Sequence, residues 1–289
     1  MTFHVQRNYK NGLFLMIFGN KPALLRLYNS MNGSNYKNPD DLIINTIEGV
    51  LYLGMKNDVS FIINNELNLY EAQSTWNPNM PLRGLFYFSR VYEGYIAEHE
   101  LNIYSKRLIQ LPTPKYVVFY NGTKDDGDSR ILKLSDSFIH NETQEACLEC
   151  TVTMININYG HNKKLMDSCR DLFEYAFLIE EIRKNLRLGT PLASAVDQAV
   201  EVCINEGILK TFLLRHRAEV KNVILEEFDW KKQMNLEKKE SFNEGFDEGQ
   251  EQILTLNLKL IADSRIDDLK RIATDRDYLT ELLKEYNII

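Results

Sequence analysis

Asp58 to Gln73 is the stretch that most limits what this chain can fold into. It reads as two short strands, rich in Val, Ile, Phe, Leu and Tyr, joined at Asn64-Asn65. Asn tolerates the positive φ that a two-residue hairpin loop demands, so the pair predicts a tight turn. A loop at 64–65 fixes the pairing: 63 faces 66, 61 faces 68 and 58 faces 71. Directly opposed residues share one face, with Cβ atoms about 4.5–5.5 Å apart. Asp58 and Glu71 are therefore expected side by side, with Gln73 on the same face by two-residue alternation. Two carboxylates that close repel, and desolvation raises the cost of ionising both. A divalent cation relieves the conflict, since Mg²⁺ takes one or two carboxylates together with waters and phosphate oxygens. The competing reading is a solvent-facing hairpin edge that carries acids.

The remaining elements follow from periodicity. Asn11 to Asn32 predicts a helix or helix pair broken near Gly19-Asn20, with Pro22 in a first turn and Asn32-Gly33-Ser34 as the stop. Leu42 to Leu53 predicts a first strand, ahead of the hairpin. After Pro78 and Pro81 a helix is expected from Leu82 to about Leu101. Its core side is read as Leu85, Phe88, Tyr92 and Ile96, with Arg83, Tyr87 and Arg90 on the opposite side. Tyr116 to Tyr120 reads as a short buried strand before Asn121-Gly122. The order over the first 122 residues is α-β-β-β-α-β. Ala146 to Ile157 is expected to add one more strand.

From Leu165 the chain turns helical. Leu172, Tyr175, Ile179, Ile182 and Leu186 mark one helix ending at Gly189. Thr190-Pro191 signals the next, with Leu192, Ala195, Ala199 and Val202 inward and Gly207 as its end. Leu209 to Phe228 gives further helix. Residues 231–252 are dense in Lys and Glu and predict an extended charged helix with a thin apolar stripe at Phe242, Phe246, Ile253 and Leu254. Gly245 and Gly249 weaken it by about 1 kcal/mol each relative to Ala, and also permit close approach of a partner helix. A solvated linker helix and a self-association surface both fit. Two short helices, about 265–274 and 276–286, close the chain as a helical hairpin.

Composition narrows the function classes. The chain has 289 residues, 44% hydrophobic and 26% charged, ordinary for a folded soluble protein and enough for a core domain with an appendage. The apolar run Leu13 to Phe18 is too short for a signal sequence or a membrane span, so the expectation is a cytoplasmic protein with no membrane partner. Cys147, Cys150, Cys169 and Cys203 are too sparse for a disulfide framework. Cys147-x-x-Cys150 has no second ligand pair at zinc spacing and is read as part of the strand 146–157. Asp125 to Asp128 lacks calcium-loop spacing and is read as a solvated turn. His4, His99, His140, His161 and His216 show no ligand spacing. A formal net charge of −7 argues against a protein whose main work is gripping the DNA backbone.

Asp58 followed a strand later by Glu71-Ala72-Gln73 resembles the Asp…Glu-x-Lys signature of the PD-(D/E)XK nuclease superfamily, in its Glu-x-Gln variant. The wider runs Gly54-Met-Lys-Asn-Asp58-Val-Ser-Phe, Leu69-Tyr-Glu71-Ala-Gln73-Ser and Asn79-Met-Pro-Leu-Arg83-Gly-Leu-Phe-Tyr87 resemble its Rpn-type, transposase-like recombination-promoting branch. The likeness runs from about Asn8 to the charged C-terminal helix. It implies an α/β restriction-endonuclease-like core over 1–160, a mixed sheet in the order α-β-β-β-α-β. A helical subdomain packed on that core follows over 161–230, and a charged helix with a terminal hairpin over 231–289. The activity implied is Mg²⁺- or Mn²⁺-dependent DNA endonucleolysis tied to mobile-element or recombination biology. Asp58 and Glu71 would hold the ion, with the Ala72 carbonyl and Glu48 as further candidates. Arg83 would hold a phosphate oxygen, and Tyr87 would pack or hydrogen-bond beside the acids.

Two departures stand against full activity. Gln73 replaces the superfamily Lys and supplies neither full charge nor a useful base. By the hairpin register Lys56 faces Gln73 and is the candidate for the missing ammonium. Relatives usually carry Asp in a Tyr-Lys-Asp segment that opens the first helix, whereas here the segment is Tyr9-Lys10-Asn11 and no acid occurs before Asp40. The alternative expectation is therefore a weakened or inactive nuclease-fold protein that serves as a DNA- or protein-interaction module. A homo-oligomer assembled through the C-terminal helices is a further expectation.

Overall fold

The computed structural model describes residues 12–44, 59–123, 127–139 and 146–288, and the side chains among these outside 227–245 and 247–248. The chain divides into two compact units, Met1–Glu227 and Phe228–Ile289.

The first unit opens with a helix pair, α1 (Gly12–Phe18) and α2 (Lys21–Asn32). The break lies where the sequence places it. Asn20 caps α2 by accepting from the Ala23 amide at 3.0 Å, and Pro22 sits in the first turn, where its missing N–H costs nothing. Gly33, at φ 64°, ends the helix in the left-handed region that favours glycine. Strand β1 is short, Ile43–Ile44, and the rest of the stretch expected as first strand lies outside the described residues.

The hairpin forms as expected. Strands β2 (Val59–Ile63) and β3 (Glu66–Gln73) run antiparallel, with Ile63 opposite Glu66 and Phe61 opposite Asn68. Asn64 and Asn65 both have positive φ, 49° and 59°, the pair of left-handed residues that a two-residue turn of matching twist needs. Helix α3 (Met80–Glu98) leads to β4 (Thr113–Tyr120), which lies parallel to β3. Strand β5 (Ser129–Lys133) precedes β6 (Thr151–Asn156) and pairs with it antiparallel, while β6 is parallel to β4. The result is one mixed six-stranded sheet in the order β1-β2-β3-β4-β6-β5. Strand β5, which periodicity does not predict, is an edge strand in which only Leu132 is buried, and β6 begins at Thr151, later than the expected Ala146. Cys147 is exposed and Cys150 buried in the segment before β6, so the pair is not part of the strand.

Alternation along the central strands divides the core into two layers. On one face Phe61, Tyr70 and Phe119 meet α1 and α2, and successive ring centroids from Phe14 through Phe119 and Tyr70 to Phe61 stand 5.3, 5.2 and 5.1 Å apart. The geometry is that of tilted and edge-to-face aromatic pairs, which contribute beyond their buried area. Helices α4 (Lys163–Ser168), α5 (Arg170–Arg187) and α6 (Leu192–Glu206) join this layer through Met166, Leu172, Tyr175, Val196, Ala199 and Cys203. In α6 Val202 is 37% exposed, contrary to expectation, because Ala195, Ala199 and Cys203 define the inward stripe. Pro191 occupies its N-cap position without a side-chain cap bond, so Thr190 is not the cap read from the sequence.

On the other face Leu67, Leu69, Tyr116, Val118 and Val152 pack under α3. The side of α3 that turns fully inward is Met80, Gly84, Tyr87 and Val91; of the expected Leu85–Ile96 stripe, Phe88 and Tyr92 pack partly buried against the same core. Tyr87, read as outward, is 1% exposed. The reason is steric: a helix that presents glycine to the sheet settles closer there than on a stripe of large side chains, and the ring of Tyr87 fills the next turn.

Helix α7 runs from Lys210 to Ala262, with non-helical backbone at His216. The second unit contains its C-terminal part, α8 (Ile266–Ile272) and α9 (Arg276–Glu285). Leu256, Leu260, Leu282 and Leu283 form its small core, and Arg265 bridges Asp268 at 2.5 Å and Glu285 at 2.6 Å, the helical hairpin read from the sequence. Among the described residues no helix is long and apolar enough to cross a membrane.

Candidate functional site

Glu71 sits two residues from the C-terminal end of β3, on the face covered by α3. Its side chain is 2% exposed. A carboxylate this far from water needs donors on both oxygens, and it has them. Oε1 accepts from Gln73 Nε2 at 2.7 Å and from Arg83 Nη2 at 2.5 Å, and Oε2 accepts from the Tyr116 hydroxyl at 2.6 Å. Arg83 Nη2 donates a second bond to the Tyr87 hydroxyl at 2.9 Å. Three elements meet here. The β3 alternation aims Glu71 and Gln73 to one side, the first turns of α3 bring Arg83 and Tyr87, and the parallel β4 brings Tyr116.

The electrostatics describe an ion pair held between rings. Burial pushes the Glu71 carboxyl above its ordinary value, opposed by the Arg83 charge and the three donors. For Arg83 burial works against the charge, but Glu71 beside it and the Tyr87 hydroxyl carry the guanidinium above its usual value. Burial, the Glu71 charge and the hydrogen bond to it keep the Tyr116 phenol well up, so it stays a donor. As arranged, Gln73 and Arg83 direct N–H groups at Oε1 and Tyr116 directs its hydroxyl at Oε2, so the carboxyl of Glu71 acts as the acceptor in all three bonds.

Of the residues expected in the site, the structure brings together Glu71, Gln73, Arg83 and Tyr87. Glu48, Lys56 and Asp58 lie outside the described residues, as does Asn11. Ala72 is buried on the opposite face, beside Tyr70 in the layer under α1 and α2. Arg83 directs its guanidinium onto Glu71. Tyr116 was not foreseen. Its place depends on the parallel pairing of β4 with β3, which local sequence does not reveal; the one hint is a hydroxyl at the start of an otherwise apolar run.

The described donors do not form a divalent-cation site as they stand. Both lone pairs of Glu71 Oε1 are taken, one on Oε2 is taken, and Arg83 already supplies the positive charge. Among the described residues no three His, Cys, Asp or Glu side chains come together as a metal-binding group.

Beyond the strand ends lies a shallow recess lined by Trp76, Tyr120, Ser129, Arg130 and Asn156. The Arg130 guanidinium stands 4.7 Å over the Trp76 ring. It borders the end of β3, since Gln73 pairs with Tyr120. No family model matches the chain, and no curated protein or solved structure matches it either.

Proposed function

We propose that this chain is a DNA endonuclease with a restriction-endonuclease-like core, of the recombination-promoting, transposase-like type, and that its site is built around Glu71. The observation that carries the reading is the convergence of Glu71, Gln73, Arg83 and Tyr87 on one spot at the end of β3. These are the residues that the resemblance nominates, and they come from two separate elements. The register supports the same reading. The alternation on which the expectation for Asp58 rests holds at Ser60 and Ile62, whose partners Leu69 and Leu67 share the face of Glu71. The hairpin, the crossing helix α3 and the parallel β4 agree in order with the α-β-β-β-α-β core.

In this reading the chain's own groups orient a carboxylate and place a guanidinium beside it. The Mg²⁺ or Mn²⁺ that the resemblance calls for is not accommodated by Glu71 in the arrangement seen, and no step is assigned to it. A second reading has its own support: Arg83 neutralises Glu71 from within. That favours a weakened or inactive nuclease fold retained as an interaction module.

Supercoiled plasmid separates the two. Expected is nicking in Mg²⁺ or Mn²⁺ that is lost in Asp58→Ala and in Glu71→Gln. Plasmid left intact by the wild-type chain, with folding verified, sinks the nuclease reading and leaves the second. Self-association through the C-terminal helices belongs to the same proposal. Phe246, Leu254, Leu258 and Ile261 on α7 are 56%, 63%, 69% and 55% exposed, more apolar helix surface than an isolated helical hairpin needs to show. Light scattering is expected to give a multiple of the chain mass for the full protein and a monomer for residues 1–227. Equal oligomeric states would remove the tail from the interface.

A further inference from the structure

We infer that Arg183, on α5, is the positioning residue for the end of β3. It clamps the two turns in which β4 and β6 leave the sheet, and through them holds Gln73 where its amide orients Glu71. The inference deepens the reading of Glu71 and Gln73 as the site and rests on it.

Three features carry it. The first is where the end of β3 finds its support. The described pairing of β2 with β3 stops at Val59 and Tyr70, whereas β4 accompanies β3 through Glu71, Ala72 and Gln73. The ladder continues one residue past Tyr120, because the Asn121 amide donates to the Gln73 carbonyl at 2.9 Å. Among the described residues, the strand that sets the place of Gln73 is therefore β4.

The second is a closed ring of bonds at the end of that strand. Arg183 Nη2 donates to the Asn121 carbonyl, and Nη1 donates to Asn158 Oδ1 at 2.5 Å. Asn158 Nδ2 in turn donates to the Gly122 carbonyl at 2.9 Å and to Asn156 Oδ1, at the end of β6, at 2.8 Å. One guanidinium thus bridges the turn after β4 and the turn after β6, and its rigid planar fork sets their spacing. Neither bond of Arg183 reaches Glu71 or Gln73, so its action on them passes through the Asn121 main chain.

The third is a charge without an acid. Arg183 makes no ion pair with a described carboxylate; Glu180, whose charge favours it from a distance, is bound to Arg187 at 2.5 Å. Burial works against the guanidinium and holds it below its usual value. A buried cation that faces only carbonyls is a poor way to stabilise a fold, since well-packed apolar side chains of similar volume often stabilise as much or more. What it supplies is direction, because charge-assisted hydrogen bonds are shorter and about twice as strong as neutral ones.

The side-chain amide of Gln73 reads the effect directly, because it is bonded to Glu71. In the full chain made with isotope-labelled glutamine, its nuclear magnetic resonance is assigned by its loss in Gln73→Ala. Arg183→Met and Asn158→Ala cut the ring at different bonds and are expected to shift that resonance in the same direction. Arg187→Gln, which breaks an exposed ion pair one turn further along α5, is expected to leave it in place. In plasmid nicking, Arg183→Met should lower kcat about tenfold with KM for DNA unchanged. A Gln73 resonance unmoved by both ring-cutting variants shows an arginine that only braces the fold, and overturns the proposal. An equal shift in Arg187→Gln overturns it too, as does an unchanged kcat in a chain that nicks. Should Arg183→Met fail to fold, Asn158→Ala decides alone. If the wild-type chain never nicks plasmid, the nuclease reading falls by itself, and the resonance still decides whether Arg183 holds Gln73 in place.

Discussion

Arg83→Met is expected to lower the stability of the first unit by about 3 kcal/mol, the lower end of the cost of removing one partner from a buried ion pair. The lower end applies because Arg83 keeps 23% of its side-chain surface in water while Glu71 keeps 2%, so the pair is screened from one side only. What the substitution leaves behind is a buried carboxylate with two neutral donors, Gln73 and Tyr116. Most of the loss is this stranded charge, not the bond itself, so Glu71→Gln added to Arg83→Met should restore a good part of it. Urea titration of the four proteins in a double-mutant cycle measures the coupling. Strict additivity would show that the two side chains do not act as a pair.

The same variant has a pH signature whose sign is fixed. Burial already pushes Glu71 up, and removing Arg83 takes away the charge that opposed the rise. A carboxyl whose folded value lies above its unfolded value binds a proton in the folded state that the unfolded chain has released. Stability therefore falls as pH rises from the ordinary carboxylate value through the raised one. Arg83→Met should lie closer to wild type near pH 5 than near pH 8, by equilibrium unfolding at the two values. A deficit that grows on acidification would mean that Glu71 was not the group left uncompensated.

The contrast between what local sequence reveals and what it hides is sharp in this cluster. The hairpin was legible because its determinants are adjacent: two Asn residues that accept positive φ fix the register of every residue from 59 to 70. Glu71 and Gln73 on one face followed from that register alone. The side of α3 was misread because periodicity weighs large apolar residues, whereas the closest approach to the sheet is made by Gly84 and by the tip-polar Tyr87. Tyr116 was invisible as a site residue because a parallel pairing 45 positions along the chain brings it to Glu71. Strand β5 escaped because Ser129–Lys133 buries a single side chain at the sheet edge, and edge strands carry little alternation to read. The ion pair itself escaped for a chemical reason. An arginine near an acid in a nuclease-like pattern suggests a phosphate ligand, and only burial and distance reveal that the acid has claimed it.

Gly84→Ala is expected to cost about 1–2 kcal/mol, although alanine is the better helix former by about 1 kcal/mol. A Cβ at position 84 would stand 2.6 and 2.7 Å from two ring carbons of Tyr116 and 3.1 Å from the Cys150 sulfur. The ring cannot give way cheaply. It is 4% exposed, packed edge-on against Tyr87 at 6.4 Å and Phe88 at 6.3 Å, and tethered by its hydroxyl to Glu71 at 2.6 Å. Either α3 lifts off the sheet, carrying Arg83 and Tyr87 with it, or Tyr116 turns and releases Glu71 Oε2. Overpacking costs about 1–3 kcal/mol, and a ring held this firmly sets it at about 2–3 kcal/mol, which less the propensity gain of about 1 kcal/mol leaves the net loss stated. Gly94, on the exposed side of the same helix with nothing within 4 Å of its added Cβ, isolates the propensity term. Gly94→Ala should raise the melting temperature, while Gly84→Ala should lower it by about 2–4 °C per kcal/mol lost. Circular dichroism melts of the two alanine variants give the signs directly. If both rise, the helix does not lean on Tyr116, and the hold that β4 exerts on Glu71 through α3 is not there.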